Sequence, residues 1–258
     1  MIRLMSHMVA HYPDAENAMA VAEGLVEGGS DYLEIQFPFS DPTADGPVIQ
    51  AACQHALEAG FTVDKGFEFV AEVRRRFEVP IFIMTYASLV VARGVDTFLD
   101  LGSRAGATGF ILPDLPPDYD EGSYDAAEKA GAVIMPVLVT TMKPERVAFL
   151  RNRNMGYLYV ALRQGITGSQ TDIGADNLAF LDQIAGSGTR VMAGFGITEN
   201  AQVRALDGHV DAAIVGSALV RTVTEVSEKH GAAPTLGREL TAALREQVLG
   251  LRGEMPRP

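Results

Sequence analysis

Glu34 lies in the apolar run Tyr32-Leu33-Glu34-Ile35-Gln36-Phe37, and Asp45 follows in the stiff loop Pro38-Phe39-Ser40-Asp41-Pro42-Thr43-Ala44-Asp45-Gly46-Pro47. Side chains of a strand alternate between faces, so Leu33, Ile35 and Phe37 share one face while Tyr32, Glu34 and Gln36 share the other. The apolar face belongs against helices, which turns Glu34 toward an interior. An ionised carboxylate there is costly unless it is paired, hydrogen-bonded or beside a ligand cavity. Glu34 is therefore either a structural residue held by hydrogen bonds to Tyr32 or a neighbouring strand, or an acid/base whose proton affinity is set by burial. Asp41, before Pro42, reads first as a turn residue. Asp45 also has two readings. It caps a helix starting near Pro47, or it is the second of two carboxylates that move protons on opposite sides of a substrate.

Three later segments are rich in glycine: Arg163-Gln164-Gly165-Ile166-Thr167-Gly168-Ser169, Gly194-Phe195-Gly196-Ile197-Thr198, and Gly216-Ser217. Glycine lets backbone N–H groups approach an anion, and a helix starting at Ser217 adds a favourable dipole. Together they predict a phosphate site. Lys65, Lys129, Lys143 and Lys229 fall in predicted helices or loops, whereas a Schiff-base enzyme wants a lysine on a strand. Lys143, after the fifth strand, is the one candidate, and it reads as a helix-start surface residue. His7 and His11 share a face of the first strand and could approach Glu34, so a metal site stays open as an alternative, although no His-x-His or His-Glu-x-x-His is present. No metal is expected. His55, His209 and His230 read as helix or loop surface residues. The single cysteine, Cys53, excludes an intramolecular disulfide and any CxxC site.

The elements that must position these residues are short and regular. Apolar runs at 4–10, 32–37, 80–85, 109–113, 132–139, 156–161, 190–194 and 212–215 are each too short for a buried helix. Between them lie helical spacings, such as Ala18, Val21, Ala22, Leu25 and Val26 early on, and Leu236, Leu240, Leu244, Val248 and Leu251 at the end. Several close on Ala-Gly, at 59–60, 105–106, 130–131 and 185–186, where glycine suits the left-handed position that ends a helix. The alternation predicts an α/β fold, a single (β/α)8 TIM barrel spanning 1–258. Extra short helices are expected in the loops after strands 2 and 8, the latter at 218–226, with a frayed tail at 253–258. A doubly wound sheet is the alternative, but no GxGxxG follows the first strand. In a barrel, chemistry belongs at the C-terminal ends of the strands, where the β2 loop with Asp45 and the three glycine-rich segments fall.

Composition narrows the partners. The chain has 258 residues with 33 acidic and 21 basic side chains, a net charge of −12, which argues against nucleic acid or an anionic membrane. A small anionic substrate is compatible with it. No apolar run approaches the ~18–20 residues of a membrane span, and the N-terminus lacks a signal-peptide pattern, so a cytoplasmic location is expected.

The second-strand motif resembles the signature of the tryptophan synthase α subunit family. Tyr86-Ala87, Pro113-Asp114-Leu115-Pro116, Gly165-Ile166-Thr167-Gly168, Gly194-Phe195-Gly196-Ile197 and Gly216-Ser217-Ala218 match it in order, over about residues 13–226. The resemblance implies a lyase: retro-aldol cleavage of indole-3-glycerol phosphate to indole and glyceraldehyde 3-phosphate, in tryptophan biosynthesis. No cofactor is implied in this chain. Pyridoxal phosphate is expected only in a β partner, within an α2β2 heterotetramer.

By the same resemblance Glu34 shuttles the proton, Asp45 hydrogen-bonds the indole N–H, and Tyr159 stands hydrogen-bonded near the glutamate. Gly168, Gly196, Gly216 and Ser217 hold the phosphate, Thr167 belongs to a closing loop that helps hold Asp45, and Met84, Ile111 and Pro113 line the indole pocket. The departures fall elsewhere. His7 stands where an aromatic residue on the indole is usual, and Gln36 replaces a glycine one step nearer the mouth than Glu34, where a bond from Gln36 to Glu34 is expected. Thr43 replaces a leucine and Ser88 an asparagine in the partner-facing third loop, and the family's helix ahead of the first strand has no counterpart. Alternatives are a stand-alone indole-releasing lyase, a paralogue acting on another phosphorylated substrate, and a non-catalytic subunit that regulates its β partner.

Overall fold

The computed structural model describes residues 2–152, 155–162, 173–185 and 188–254. Among these the apolar runs become strands β1 (Arg3–Val9), β2 (Tyr32–Gln36), β3 (Ile81–Met84), β4 (Gly109–Ile111), β5 (Val133–Met135), β6 (Val137–Val139), β7 (Tyr157–Ala161), β8 (Arg190–Gly194) and β9 (Ala212–Val215). All pair in parallel, in the order β5-β4-β3-β2-β1-β9-β8-β7-β6, so the first strand meets the last. The two ends of that order, β5 and β6, follow each other in the chain with only Pro136 between them. The expected fifth strand, 132–139, is thus one extended segment in two pieces, of which β5 pairs with β4 and β6 with β7. Proline has no N–H to give to a ladder, so the segment changes partner there. Its carbonyl still accepts from the Tyr159 N–H at 3.0 Å. With this break counted, the architecture is the expected (β/α)8 barrel.

Helices surround the strands. α1 (Ala18–Glu27) follows β1, α2 (Pro47–Glu58) and α3 (Val63–Arg76) follow β2, and α4 (Ala87–Arg93) and α5 (Val95–Arg104) follow β3. Then come α6 (Ser123–Lys129), α7 (Pro144–Asn152), α8 (Ala175–Ile184) and α9 (Asn200–Ala205), one after each of β4, β6, β7 and β8. The chain ends with α10 (Ser217–His230) and α11 (Leu236–Arg252) after β9. Extra helices after the second and last strands are as expected, although α10 is longer than 218–226. The additional helix α4 was not anticipated. It is set apart from α5 by Gly94, whose φ of 89° breaks the helical path. Of the tail expected to fray, Gly253 closes α11 in the left-handed conformation, and 255–258 lie outside the described residues.

Strand alternation divides the core into two shells. Leu33, Ile35, Ile81 and Ile83 face outward into the layer beneath the helices. Tyr32, Phe82, Met84, Ile111, Met135, Tyr159, Met192 and Ile214 fill the barrel interior. Closure of the helical layer depends on α1 packing closely on α11. A Cβ added at Gly24 would stand 2.6 Å from the Thr241 carbonyl oxygen and 2.9 Å from its Cα, both backbone atoms that cannot yield locally. Gly250, on α11, has open space around it. Gly24→Ala should therefore cost about 1–3 kcal/mol through overpacking, while Gly250→Ala should gain up to about 1 kcal/mol through helix propensity. Urea unfolding measures both, and a neutral Gly24→Ala would show that the two helices separate easily.

Candidate active site

The parallel register of β1 and β2 sets His7 directly beside Glu34. Both side chains point inward and are 4% exposed. His7 Nδ1 lies 3.0 Å from Glu34 Oε1, which supplies the partner that a buried carboxylate needs. Burial alone would push the His7 imidazole below its usual range. The charge and hydrogen bond of Glu34, with the charge of Asp45, outweigh that and hold it above. Among the described residues His7 Nε2 and Glu34 Oε2 are buried without a hydrogen-bond partner.

His11 does not join them. β1 ends at Val9, and His11 takes a left-handed backbone (φ 61°). Its ring packs edge-on against Phe61 and Phe69 at 5.5 and 5.7 Å. Burial and the nearby Lys65 push its pKa down, against a smaller opposing effect of Glu68. Alternation from His7 holds only while the strand lasts, so the shared face expected for the two histidines is not formed. Among the described residues no cluster of three or more His, Cys, Asp or Glu is arranged to hold a metal ion.

Asp45 is not a helix cap. α2 begins after Gly46 with no capping side chain. The loop turns through an Asp45 N–H bond to the Pro42 carbonyl at 3.0 Å and folds the carboxylate back over the end of β2. There Asp45 Oδ2 accepts from Gln36 Nε2 at 2.7 Å and from the Tyr86 hydroxyl at 2.8 Å. The Tyr86 hydroxyl in turn accepts from the Ala44 N–H at 3.0 Å. The bond expected from Gln36 to Glu34 is therefore absent. Being nearer the mouth, Gln36 meets the returning loop, while Glu34 is taken by His7 on the neighbouring strand. Burial raises the pKa of Asp45 even though Gln36, His7 and Tyr86 all favour its charged form, and the Glu34 charge adds to the rise. Cys53, behind Gln36 at 3.5 Å, is pushed up to about 12 by burial and by the Asp45 charge. Asp41 is exposed and accepts from the Ser40 hydroxyl at 2.6 Å, as a turn residue should.

Both carboxylates open onto one cavity of about 320 Å³ in the barrel mouth. Its apolar wall includes Met84, Ile111, Pro113 and Ile214, and Tyr159 stands on the same wall. Burial and the charges of Glu34 and Asp45 raise the Tyr159 hydroxyl well above its ordinary pKa, but among the described residues no hydrogen bond joins it to Glu34. Gly196, Gly216 and Ser217 also line the cavity. α10 starts at Ser217, so its first N–H groups are free of intrahelical partners. Thr167 and Gly168 lie outside the described residues. The sequence assigned no role to Tyr86, which holds Asp45 from behind and was visible only as a motif match, or to Phe195, which lines the cavity with φ 93° between two glycines that drew attention instead.

A family model described as "Tryptophan synthase alpha chain" matches residues 2–247. The tryptophan synthase alpha chain of Desulforapulum autotrophicum is 37% identical over 223 residues, 86% of this chain and 88% of that one. That of Methanosarcina acetivorans is 34% identical over 242 residues, 93% and 88% of the two chains. Among solved structures, a chain of the tryptophan synthase complex from Pyrococcus furiosus is similar with a TM-score of 0.82 at 27% identity, covering 97% of this chain and 98% of that one. Tryptophan synthase from Mycobacterium tuberculosis gives 0.81 at 30% identity, covering 96% and 92%.

The environment of Asp45 sets up a test of function against stability. An asparagine oxygen can accept from Gln36 and Tyr86 as the carboxylate does, while the cost of burying a charge disappears. Asp45→Asn should keep or raise the melting temperature at pH 7 and lower the reaction rate. A melting temperature lowered by several degrees would show that the charge itself holds the loop.

Proposed function

The chain belongs to the tryptophan synthase alpha chain family, a lyase that cleaves indole-3-glycerol phosphate to indole and glyceraldehyde 3-phosphate in tryptophan biosynthesis, and we propose that Glu34 and Asp45 carry that reaction here. The observation behind the assignment is that both carboxylates, held by different partners, line one cavity together with apolar side chains and the glycine-rich segments at Gly196 and Gly216. Such a cavity matches an indole ring joined to a phosphorylated glycerol.

Asp45 accepts the indole N–H and favours the tautomer in which electron density moves toward the ring carbon bearing the side chain. Both hydrogen bonds from Gln36 and Tyr86 fall on Oδ2, so neither occupies Oδ1. Glu34 gives a proton to that ring carbon, then takes the proton of the adjacent glycerol hydroxyl as the C–C bond breaks. The bond's electrons return to the ring, and the hydroxyl carbon leaves as an aldehyde. Met84, Ile111 and Pro113 flank the indole, with His7 at its edge, and Tyr159 closes the wall beside Glu34. The phosphate sits against the backbone at Gly196, Gly216 and Ser217, where the start of α10 favours an anion; by the family motif Thr167 and Gly168 are assigned to substrate binding as well.

This reading needs no cofactor in the chain. The same family membership supports a β partner carrying pyridoxal phosphate in an α2β2 assembly, and a cytoplasmic location; no helix of the described residues is long and apolar enough to cross a membrane. Ser88, expected in a partner-facing third loop, is exposed in the first turn of α4 instead.

The primary assay is indole release from indole-3-glycerol phosphate, with and without a β subunit. Glu34→Gln should lower kcat by about 10²–10⁴ or more while leaving affinity for the substrate within about threefold. A folded variant that keeps most of its activity would assign Glu34 to structure.

Gly216 tests the phosphate wall. A Cβ there would meet His7 only at van der Waals distance, 3.7 Å, so a small side chain fits and a branched one intrudes on the cavity. Gly216→Val should raise KM by about tenfold with little change in the affinity for free indole, which lacks the phosphate. Equal losses for both ligands would mean that the barrel mouth had collapsed.

A further inference from the structure

We propose that His7 is a positioning residue for the cleavage, fixing one oxygen of Glu34 and sharing a single titrating proton with it. This inference rests on the function proposed above. The backbone enforces the pairing: His7 and Glu34 are register partners on adjacent strands, both inward and both nearly fully buried. With Oε1 engaged by Nδ1 at 3.0 Å, the oxygen left for a substrate is Oε2, which is buried and has no hydrogen-bond partner among the described residues.

The surroundings decide how many protons the pair holds. Asp45 faces it from the β2–α2 loop, with Tyr86 and Cys53 behind, and Tyr159 faces it from β7. Gly216 and Ser217 at the start of α10, and Ile49 of α2, bring no charge. Two carboxylates therefore act on one imidazole, and His7 stays protonated above its usual range in spite of burial, which opposes it.

The Nδ1–Oε1 hydrogen bond lets the pair share one proton, as imidazolium with carboxylate or as neutral imidazole with carboxylic acid. In the second form Nδ1–H donates to Oε1 while Oε2 carries the acid proton. That proton goes to the ring carbon, and the resulting carboxylate is held by Nδ1–H. Oε2 then takes the glycerol hydroxyl proton as the C–C bond breaks and the aldehyde C=O forms. The pair ends with the proton count it began with.

The test is the pH dependence of kcat, from about pH 5 to about pH 9, for wild type, His7→Gln and His7→Phe. Losing the imidazole removes the group that keeps a proton in the pair at high pH. The alkaline limb should move down by about one unit in both variants, making the loss about tenfold greater on the alkaline side than on the acid side. The glutamine amide can still donate to Oε1, so His7→Gln should recover rate over His7→Phe at acid pH without restoring the alkaline limb. KM should change by less than about threefold. Unmoved limbs, or a raised KM with kcat intact, would overturn the proposal by making His7 a packing or substrate-binding residue.

A nitrogen-15 NMR titration of the His7 ring supplies a readout without turnover. Its midpoint should lie above the ordinary ~6.5 and fall in Glu34→Gln. A midpoint at or below the ordinary value in wild type overturns the pair itself. A raised midpoint in a wild-type protein that releases no indole at any pH overturns the assigned reaction, and the positioning role with it.

Discussion

Glu34 and Asp45 share one low-dielectric cavity, where each ionised carboxylate makes ionisation of the other more costly. The barrel answers with separate partners drawn from neighbouring elements. β1 brings the imidazole of His7 to Glu34, whereas β2 and β3 bring the neutral donors Gln36 and Tyr86 to Asp45. One carboxylate thus faces a titratable cation and the other faces groups that stay neutral. Environments that differ in this way give two like side chains different proton chemistry, as one proton shuttle and one fixed acceptor require. The parallel register of the first strands and the return of the β2–α2 loop are the geometric conditions for it. The methionine and aromatic layer below them keeps the cavity floor apolar.

The architecture was legible because alternation along each strand, and helical spacing between strands, are local properties of the chain. The inward direction of Glu34 follows from the period of two in Leu33, Ile35 and Phe37, and both carboxylates fall where a barrel places its chemistry. The approach of His7 to Glu34 was open from the faces of their strands, although their direct register, across two strands separated by α1, is encoded by no local pattern. The partners of Asp45 were not disclosed. Gln36 was expected to serve Glu34 because both share a face. It serves Asp45 because the loop doubles back, which depends on the turn at Pro42 and the anchor at Tyr86. His11 was misplaced because alternation was carried past the end of the strand. Pro136 was in plain view, yet its effect on the fifth strand is a change of hydrogen-bond partner rather than a break in the apolar pattern.

The family likeness covers nearly the whole chain, and within it the two departures in the reaction chamber are not independent decorations. His7 and Gln36 each attach to a different carboxylate of the same cavity. By the motif resemblance each stands where an aromatic residue or a glycine is expected, so both departures drawn from that resemblance fall beside the two carboxylates.

Cys53 gives the protein a built-in clock. It is the only cysteine in the chain, it is fully buried behind Gln36, and its thiol is pushed up to about 12. Thiolate, not thiol, reacts with alkylating and disulfide reagents, so in the closed protein it is doubly protected, by access and by protonation. Each labelling event then records an opening of α2 away from the barrel. A single-site chemical trap, needing no engineered label, can count how often the wall behind Asp45 comes apart and how far an occupant of the cavity slows it.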